Sequence, residues 1–259
     1  MKISFSKYHG AGNDFVIVDN RNVQFPKETE VIKHICDRHF GIGADGLMLL
    51  ENSSSLDFNM RYFNSDGNES TMCGNGGRCI TLFANNIGLI KKSTHFMGVD
   101  GEHSAIIEKD GLINLKMKDV KGIEKGENYY FLNTGSPHYV CFVNDIYKID
   151  VAVEGKKIRN TFNMNQGGTN VNYVDLIENK INIRTFERGV EAETLACGTG
   201  SVASAIAYSI HKNDFKGEYI VNTLGGELWV KFNRINEFEY NNVWLKGPAV
   251  HVFDGQIII

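Results

Sequence analysis

The chain has 259 residues, more than one typical domain, so it forms either one large domain or two small ones. Its 42% apolar and 22% charged content is that of an ordinary globular protein, able to bury a core without metals or disulfides. A net charge of −4 with no Lys/Arg cluster argues against a nucleic-acid partner. No apolar run reaches membrane-span length and Met1–Lys7 lacks a secretory apolar core, so a membrane or secreted location is not expected. Five cysteines, an odd number with no C-x-x-C pair, read as free thiols in a reducing cytoplasm rather than as a disulfide framework.

Taken in chain order, short β-branched or aromatic runs predict strands at Phe15–Asp19, Phe58–Asn64, Ser104–Glu108, Leu112–Met117, Tyr139–Val143, Ile181–Glu187 and Glu227–Phe232. Asp110–Gly111 and Gly225–Gly226 sit between adjacent runs as hairpin turns would. Three stretches carry helical spacing. Pro26–His39 gathers Val31, Ile32, Ile35 and Cys36 on one face; Gly74–Asn86 gathers Ile80, Phe83, Ala84 and the following Ile87. Gly198–His211 does the same with Val202, Ala205, Ile206 and Ile210. Many strands with a few helices and no visible parallel βαβ alternation predict an α+β protein.

The stretch Phe63–Ala84 runs from a strand through a polar loop to Cys-Gly-Asn-Gly and a helix, and Phe186–Ala207 repeats that plan with Cys-Gly-Thr-Gly. A supersecondary plan repeated about 120 positions apart points to two pseudo-equivalent halves, 1–117 and 118–249, joined near Lys118.

Cys73 and Cys197 each open a predicted helix. The unpaired N–H groups and dipole of a helix N-terminus stabilise a thiolate and also bind carboxylates. The glycines at 74, 76, 77, 198 and 200 allow a ligand close to that backbone. Inverting an α-carbon needs one group to remove a proton and a second, on the opposite face, to supply one. Charge then spreads into the carboxylate, where N–H donors stabilise it. Two facing cysteine–helix units would meet both needs without pyridoxal phosphate or metal. Cys36, Cys79 and Cys141 fall on core positions and read as structural thiols.

Two other readings compete. Cys36-Asp-Arg-His39 with Cys73 and Cys79 offers a conceivable zinc set, although C-x5-C is not a common pairing. Gly198-Thr-Gly-Ser-Val-Ala203 fits a dinucleotide fingerprint, but Glu191–Ala196 before it does not read as a buried strand.

The chain also resembles the diaminopimelate epimerase family from Tyr8 almost to its end. The resemblance rests on Lys7-YHGAGNDFVIVD-Asn20, Gly41-IGADG-Leu47, Phe63-NSDGNE, Met72-CGNGGR-Cys79, Asn133-TGSPH-Tyr139, Glu187-RG, Glu193-TLACGTG-Ser201 and Gly247-PAVHVF-Asp254. Proline-racemase-like relatives share the paired cysteines, but their first stands in a Cys-Gly-His context, whereas here it is Cys73-Gly-Asn. The resemblance implies cofactor-independent conversion of L,L-diaminopimelate to the meso form, in lysine and cell-wall precursor synthesis. It implies two similar domains, each a mixed barrel-like sheet around a central helix with the active site in the cleft, a last strand (about 250–259) returning to the first domain, and a homodimer. Carried over, Cys73 and Cys197 are the acid–base pair, and the N–H groups of Gly74, Asn75, Gly198 and Thr199 hold the reacting carboxylate. Asn13, Asn64, Asn172, Glu187 and Arg188 contact the rest of the substrate. Asn13 and Asn64 also read simply as turn formers, and Glu187–Arg188 as a solvated strand end. His138 either relays a thiol proton or only bonds its loop; Glu187 is a second relay candidate. Three positions depart from the family pattern: Gly46 where glutamine is common, Ser136 where asparagine is common, and one extra residue between Glu187 and Cys197. The first is expected to leave a polar contact missing or replaced by water, the second to shorten a substrate contact, and the last puts the placement of Val190–Ala192 in doubt.

Overall fold

A computed structural model describes residues 1–177, 180–214 and 217–259. The chain divides into two units, Met1–Leu115 with Gly247–Ile259, and Lys116–Lys246.

The first unit carries β1 (Lys2–Gly10), β2 (Asn13–Asp19), α1 (Thr29–Cys36), β3 (Gly46–Glu51), β4 (Phe58–Asn64), β5 (Glu69–Ser70), α2 (Gly74–Asn86), β6 (Ser93–Gly98), β7 (Gly101–Ile107) and β8 (Ile113–Lys116). The second carries β9 (Val120–Lys121), β10 (Glu124–Lys125), β11 (Tyr130–Asn133), β12 (Pro137–Phe142), α3 (Val151–Arg159), β13 (Asn170–Ile177), β14 (Lys180–Glu187), β15 (Ala192–Thr194), α4 (Gly198–His211), β16 (Glu218–Thr223), β17 (Gly226–Asn236) and β18 (Glu239–Gly247). The last strand, β19 (Val250–Ile258), pairs antiparallel with β1 in the first unit.

Each unit has the same wiring. In the first, β2 runs parallel to β3 across α1, β3 antiparallel to β4, and β4 parallel to β6 across α2. In the second, β12 runs parallel to β13 across α3, β13 antiparallel to β14, and β14 parallel to β16 across α4. Four parallel crossovers correct the expectation that such units are absent; each is flanked by antiparallel pairs, which hid the pattern from a reading of strand runs alone. A mixed sheet thus surrounds one buried helix in each unit, α2 against β1, β2, β3, β7 and β19, and α4 against β11 to β14, β16 and β17. The class is α+β.

Local chemistry explains where the elements stop. Predicted to span Pro26–His39, α1 covers only Thr29–Cys36, because Asp37 turns the chain out by accepting bonds from the N–H groups of His39 and Phe40. Its buried face is Ile32, Ile35 and Cys36, with Val31 partly buried beside them. Both α2 and α4 begin and end where predicted. Ile87 falls at the C-cap of α2 and is exposed, and Ile210 is only partly covered, so neither completes its apolar face. Instead α4 is buried on nearly all sides, and its Ala, Ser and Gly residues let strands approach closely. The predicted Gly225–Gly226 turn shifts by one residue, since Gly226 already pairs with Thr223. The helix α3 carries three basic residues in its last turn and buries only Val151 and Gly155, a face too narrow to show in the sequence.

Gly155 reverses the usual helix preference. Alanine is favoured over glycine in a helix interior by about 1 kcal/mol, yet a Cβ at Gly155 would stand 2.5 Å from Cβ of Phe186. Gly155→Ala is therefore expected to destabilise the protein by about 1–3 kcal/mol, read as a lower urea midpoint. A midpoint raised by the substitution would show that β14 yields to the helix.

Candidate active site

In the first unit Cys73 is the N-cap of α2. Its sulfur accepts a hydrogen bond from the Gly76 N–H at 3.2 Å and lies 3.7 Å from the Asn13 Oδ1. A Cβ at Gly76 would approach the Met48 sulfur at 3.3 Å, and one at Gly77 would meet the Leu115 Cδ2 at 2.9 Å, so side chains at these two positions would push on their neighbours. Gly74 and Asn75, the first two helical residues, are buried.

Asn13, on β2, is held from behind. Its Nδ2 donates to the Asp45 Oδ2 at 2.7 Å, and the Asn75 Nδ2 donates to its Oδ1 at 3.2 Å. Asp45 accepts from Arg38, Arg38 forks onto both oxygens of Asp14, and Asp14 pairs with the buried Lys7 at 2.7 Å. Burial acts to raise the Asp14 carboxyl, but the bonds from Arg38 and Lys7 outweigh it and hold the group down at about 2. At the other end of the row, the wholly buried Arg78 guanidinium donates to the Asn75 Oδ1 at 2.7 Å, the Gly74 carbonyl at 3.1 Å and the Pro248 carbonyl at 3.2 Å.

Asn64 closes β4 opposite Gly46, in a turn where its N–H meets the Asn68 carbonyl and its carbonyl accepts from Gly67. At Gly46 itself the backbone leaves no room for a side chain. A Cβ there would lie 2.5 Å from both the Phe63 carbonyl oxygen and the Tyr62 ring, so the space is occupied by protein.

In the second unit Cys197 is the N-cap of α4. It is buried, with its sulfur 3.5 Å from the Thr199 hydroxyl. Gly198 is buried, and the Thr199 carbonyl accepts from the Thr134 hydroxyl at 2.9 Å. Beneath this turn lies Asn172 of β13. A Cβ at Gly200 would stand 2.4 Å from its Oδ1 and 3.3 Å from the Cys197 sulfur, so glycine here lets the asparagine reach the helix start. The Asn172 Nδ2 donates to the Tyr139 carbonyl at 3.1 Å, which fixes its amide and leaves the same nitrogen facing the His138 Nδ1 at 3.0 Å. Nδ1 must therefore accept, and the ring proton sits on Nε2. Burial first, and the Arg188 charge second, push His138 down to about 3, so it is a neutral imidazole.

Glu187 ends β14 and accepts from the Thr194 hydroxyl at 3.0 Å. The Arg188 N–H donates to the Asn170 Oδ1 at 2.9 Å, and the Asn170 Nδ2 donates to the Ser136 hydroxyl at 2.8 Å, so serine at 136 serves as the anchor of the Arg188 strand end. The loop whose extra residue left Val190–Ala192 unplaced is a turn closed by Glu191 N–H on the Glu187 carbonyl at 2.8 Å, with Gly189 and Glu191 at positive φ and Ala192 already paired in β15.

The remaining thiols are core groups. Burial raises Cys36 and Cys141 to about 12 and pushes Cys79 up as well. Among the described residues no three His, Cys, Asp or Glu side chains gather as metal ligands would. The glycine fingerprint at 198–203 follows β15, which is antiparallel to β14 and partly exposed, unlike the buried parallel strand a dinucleotide site needs. Among the described residues no helix is long and apolar enough to cross a membrane.

Sequence reasoning named neither Asp45 nor Asn170 as site residues, nor Arg78, Asp14, Thr134 or Thr185. Except for the Asn75 and Gly74 bonds of Arg78 and the Lys7–Asp14 and Arg38–Asp45 pairs, their side-chain partners lie more than ten residues away in sequence, and only the GADG and CGNGGR motifs hinted that Asp45 and Arg78 had a place near Asn13 and Cys73.

The family model for diaminopimelate epimerase matches residues 5–121 and 130–252. The chain is 50% identical to the diaminopimelate epimerase of Flavobacterium psychrophilum over 253 residues, covering 97% of this chain and 98% of the relative. It is 40% identical to that of Chlorobaculum tepidum over 259 residues, covering 96% and 99%. Among solved structures, a Bacillus anthracis phenazine biosynthesis protein of the PhzF family superposes with a TM-score of 0.81 at 16% identity, covering all of both chains. A hydroxyproline epimerase from Agrobacterium vitis superposes at 0.74 and 13% identity, covering 99% of this chain and 92% of that one; at such identities the likeness is one of fold.

The Asp14 frame sets an acid limit. A carboxyl held at about 2, below its ordinary 3.8, contributes stability that is present above about pH 4 and is lost as pH falls toward 2. Asp14→Asn is expected to lower stability at neutral pH and to flatten the acid limb between those values, measured by urea unfolding at stepped pH. An unchanged acid limb would place the acid sensitivity elsewhere.

Proposed function

The chain belongs to the diaminopimelate epimerase family, and from that premise we propose that it inverts one α-carbon of L,L-diaminopimelate to give the meso isomer without a cofactor, using Cys73 and Cys197 on opposite faces of that carbon. The observation that carries this reading is the duplicated helix start: in each unit a cysteine N-caps the buried central helix and a glycine-bearing first turn follows it. One sulfur, as thiolate, takes the α-proton. The other, as thiol, delivers its own proton to the opposite face, so the two exchange protonation states in each turnover. The N–H groups of Gly74, Asn75, Gly198 and Thr199 hold the carboxylate into which charge spreads, aided by the helix dipoles.

The far end of the substrate carries a second ammonium and carboxylate. Arg188 suits the carboxylate through its guanidinium fork and Glu187 the ammonium, with Asn13, Asn64 and Asn172 supplying further polar contacts. Neutral His138 is read as a support for Asn172, because its Nδ1 accepts from that amide and burial keeps the ring from taking a second proton. The product feeds lysine and cell-wall precursor synthesis, in the cytoplasm, where free thiols persist.

Reaction in heavy water tests the two-base step. Early product is expected to carry deuterium at the inverted carbon while recovered substrate carries almost none, because the donating thiol has equilibrated with solvent and the abstracting one has not. Cys73→Ala and Cys197→Ala are each expected to abolish inversion, whereas Cys36→Ala and Cys141→Ala keep turnover once folding is matched. Proline, which has nothing for Glu187 and Arg188 to hold, is expected to be inert. Near-normal epimerisation by Cys197→Ala, or faster turnover of proline than of diaminopimelate, would remove this reading.

A homodimer belongs to the same proposal, and the exposed Val250, Val252 and Phe253 along β19 support it. Sedimentation is expected to give a dimer that Phe253→Asp dissociates; a dimer unaffected by that change would place the interface elsewhere.

A further inference from the structure

We propose that Asp45 and Arg78 are positioning residues that lock the amide of Asn13 with its carbonyl toward Cys73, so that Cys73 rests as the thiol. This rests on the two-cysteine reading only for its catalytic meaning.

The argument is one of donors and acceptors. A carboxylate only accepts, so the nitrogen of Asn13 must face the Asp45 Oδ2 at 2.7 Å. A guanidinium only donates, so the oxygen of Asn75 must face Arg78 at 2.7 Å, which turns the Asn75 nitrogen toward Asn13 at 3.2 Å. The row runs from an anion to a cation, Asp45 to Asn13 to Asn75 to Arg78, and both ends demand the same polarity. Asn13 therefore presents an oxygen, 3.7 Å from the Cys73 sulfur. A thiol satisfies both neighbours at once: its S–H donates to the Asn13 Oδ1 while its lone pair accepts from the Gly76 N–H at 3.2 Å. A thiolate keeps the second bond but faces a carbonyl dipole of the wrong sign.

Other charged groups also act near Cys73. Arg78, the cationic end of the row, lies on the same helix and its charge favours the thiolate, against the Asn13 carbonyl; Asp100, paired with His103, accepts from the Met72 N–H beside the cysteine. Behind Asp45 stand Arg38, Asp14 and Lys7. The orientation of Asn13 is what separates Cys73 from an ordinary helix N-cap cysteine, whose thiolate is favoured. Under the two-cysteine reading the resting enzyme is then primed for the isomer that presents its α-hydrogen to Cys197, with Cys73 as proton donor.

Alkylation by iodoacetamide across a pH series, followed peptide by peptide with mass spectrometry, reads Cys73 separately in the full chain and needs no turnover. In the unaltered protein the midpoint for Cys73 is expected at or above the free-thiol value of about 8.5. Asn13→Ala removes the acceptor and is expected to lower it by about 1 pH unit, equivalent to about tenfold faster labelling near neutral pH. Had Asn13 presented its nitrogen, the same change would raise the midpoint, so the sign decides. Asp45→Ala is expected to lower the midpoint when Asn13 is present and to have little effect in the Asn13→Ala background, because it acts through that amide. A midpoint below about 8.5 in the unaltered protein, a rise or no change in Asn13→Ala, or equal Asp45→Ala shifts in both backgrounds would overturn the inference. If Asp45→Ala does not fold, the first two measurements still decide the state of Cys73. Failure here leaves the two-cysteine reading standing, since that reading falls only if Cys73→Ala or Cys197→Ala still inverts substrate.

Discussion

A sulfur at the N-cap of a buried helix brings two demands into one place, and the rest of each unit answers them. The helix must be buried to hold its first turn still, yet that turn exposes several N–H groups with no partner inside the helix. In both units the sheet closes around the helix on many sides, so α2 and α4 are covered along almost their whole length while the first turn carries glycine. At Gly77 and Gly200 a side chain would collide with Leu115 and Asn172, so the glycines serve packing as much as ligand approach. The wiring follows from the same need: a parallel crossover carries the chain from β4 through α2 to β6, and from β14 through α4 to β16, and puts the helix against its sheet.

The two units reach this arrangement with different chemistry. Behind Cys73 stands an ionic frame in which Lys7 and Asp14 are largely covered, paired and hydrogen-bonded, as buried charge requires, while Arg38 and Asp45 stay exposed to solvent. Arg78 is more extreme, a wholly buried guanidinium whose bonds go to an amide and two carbonyls. Behind Cys197 the frame is neutral: Asn172, Thr185, His138 and the Tyr139 carbonyl. Burial keeps His138 uncharged, so that frame carries no ionic polarity of its own.

How much of this was legible in the sequence follows from the range of each interaction. Both central helices were readable to the residue because their signals are local, a cysteine followed by glycines and then an apolar face. The ends of α1 were overextended because Pro26 and His39 look like helix boundaries, whereas Asp37 ends the helix through two short bonds no pattern reveals. The short helix α3 was invisible because its burial depends on Gly155 meeting Phe186, 31 positions away. Strands were found as β-branched or aromatic runs, as in β2, β4 and β17, whereas β3, apolar on both faces but without a β-branched residue, was missed; the parallel pairings were missed too, since pairing leaves no mark on a single strand. Of the polar residues, Asn13 was readable as either a turn former or a contact. Only the bonds from Asp45 and Asn75 show which end of its amide faces the sulfur.

Divergence between the two frames also bears on why a duplicated scaffold suits inversion of a carbon centre. A two-base reaction needs its two acid–base groups alike in strength but opposite in protonation at any instant. Two identical helix starts would supply the likeness and leave the resting proton unassigned. The surroundings break that symmetry with small means: a carbonyl oxygen 3.7 Å from one sulfur, a hydroxyl 3.5 Å from the other. A hydroxyl rotates and serves either protonation state, because it can donate or accept. The amide beside Cys73 cannot, since charges at both ends of its row fix which way it points. Under the proposed two-cysteine reading, a bias of about one pH unit, about 1.4 kcal/mol, would assign the proton at rest and still let the reverse state be reached in turnover. Duplication thus supplies the common geometry, and the ionic frame of the first unit supplies the difference between its halves.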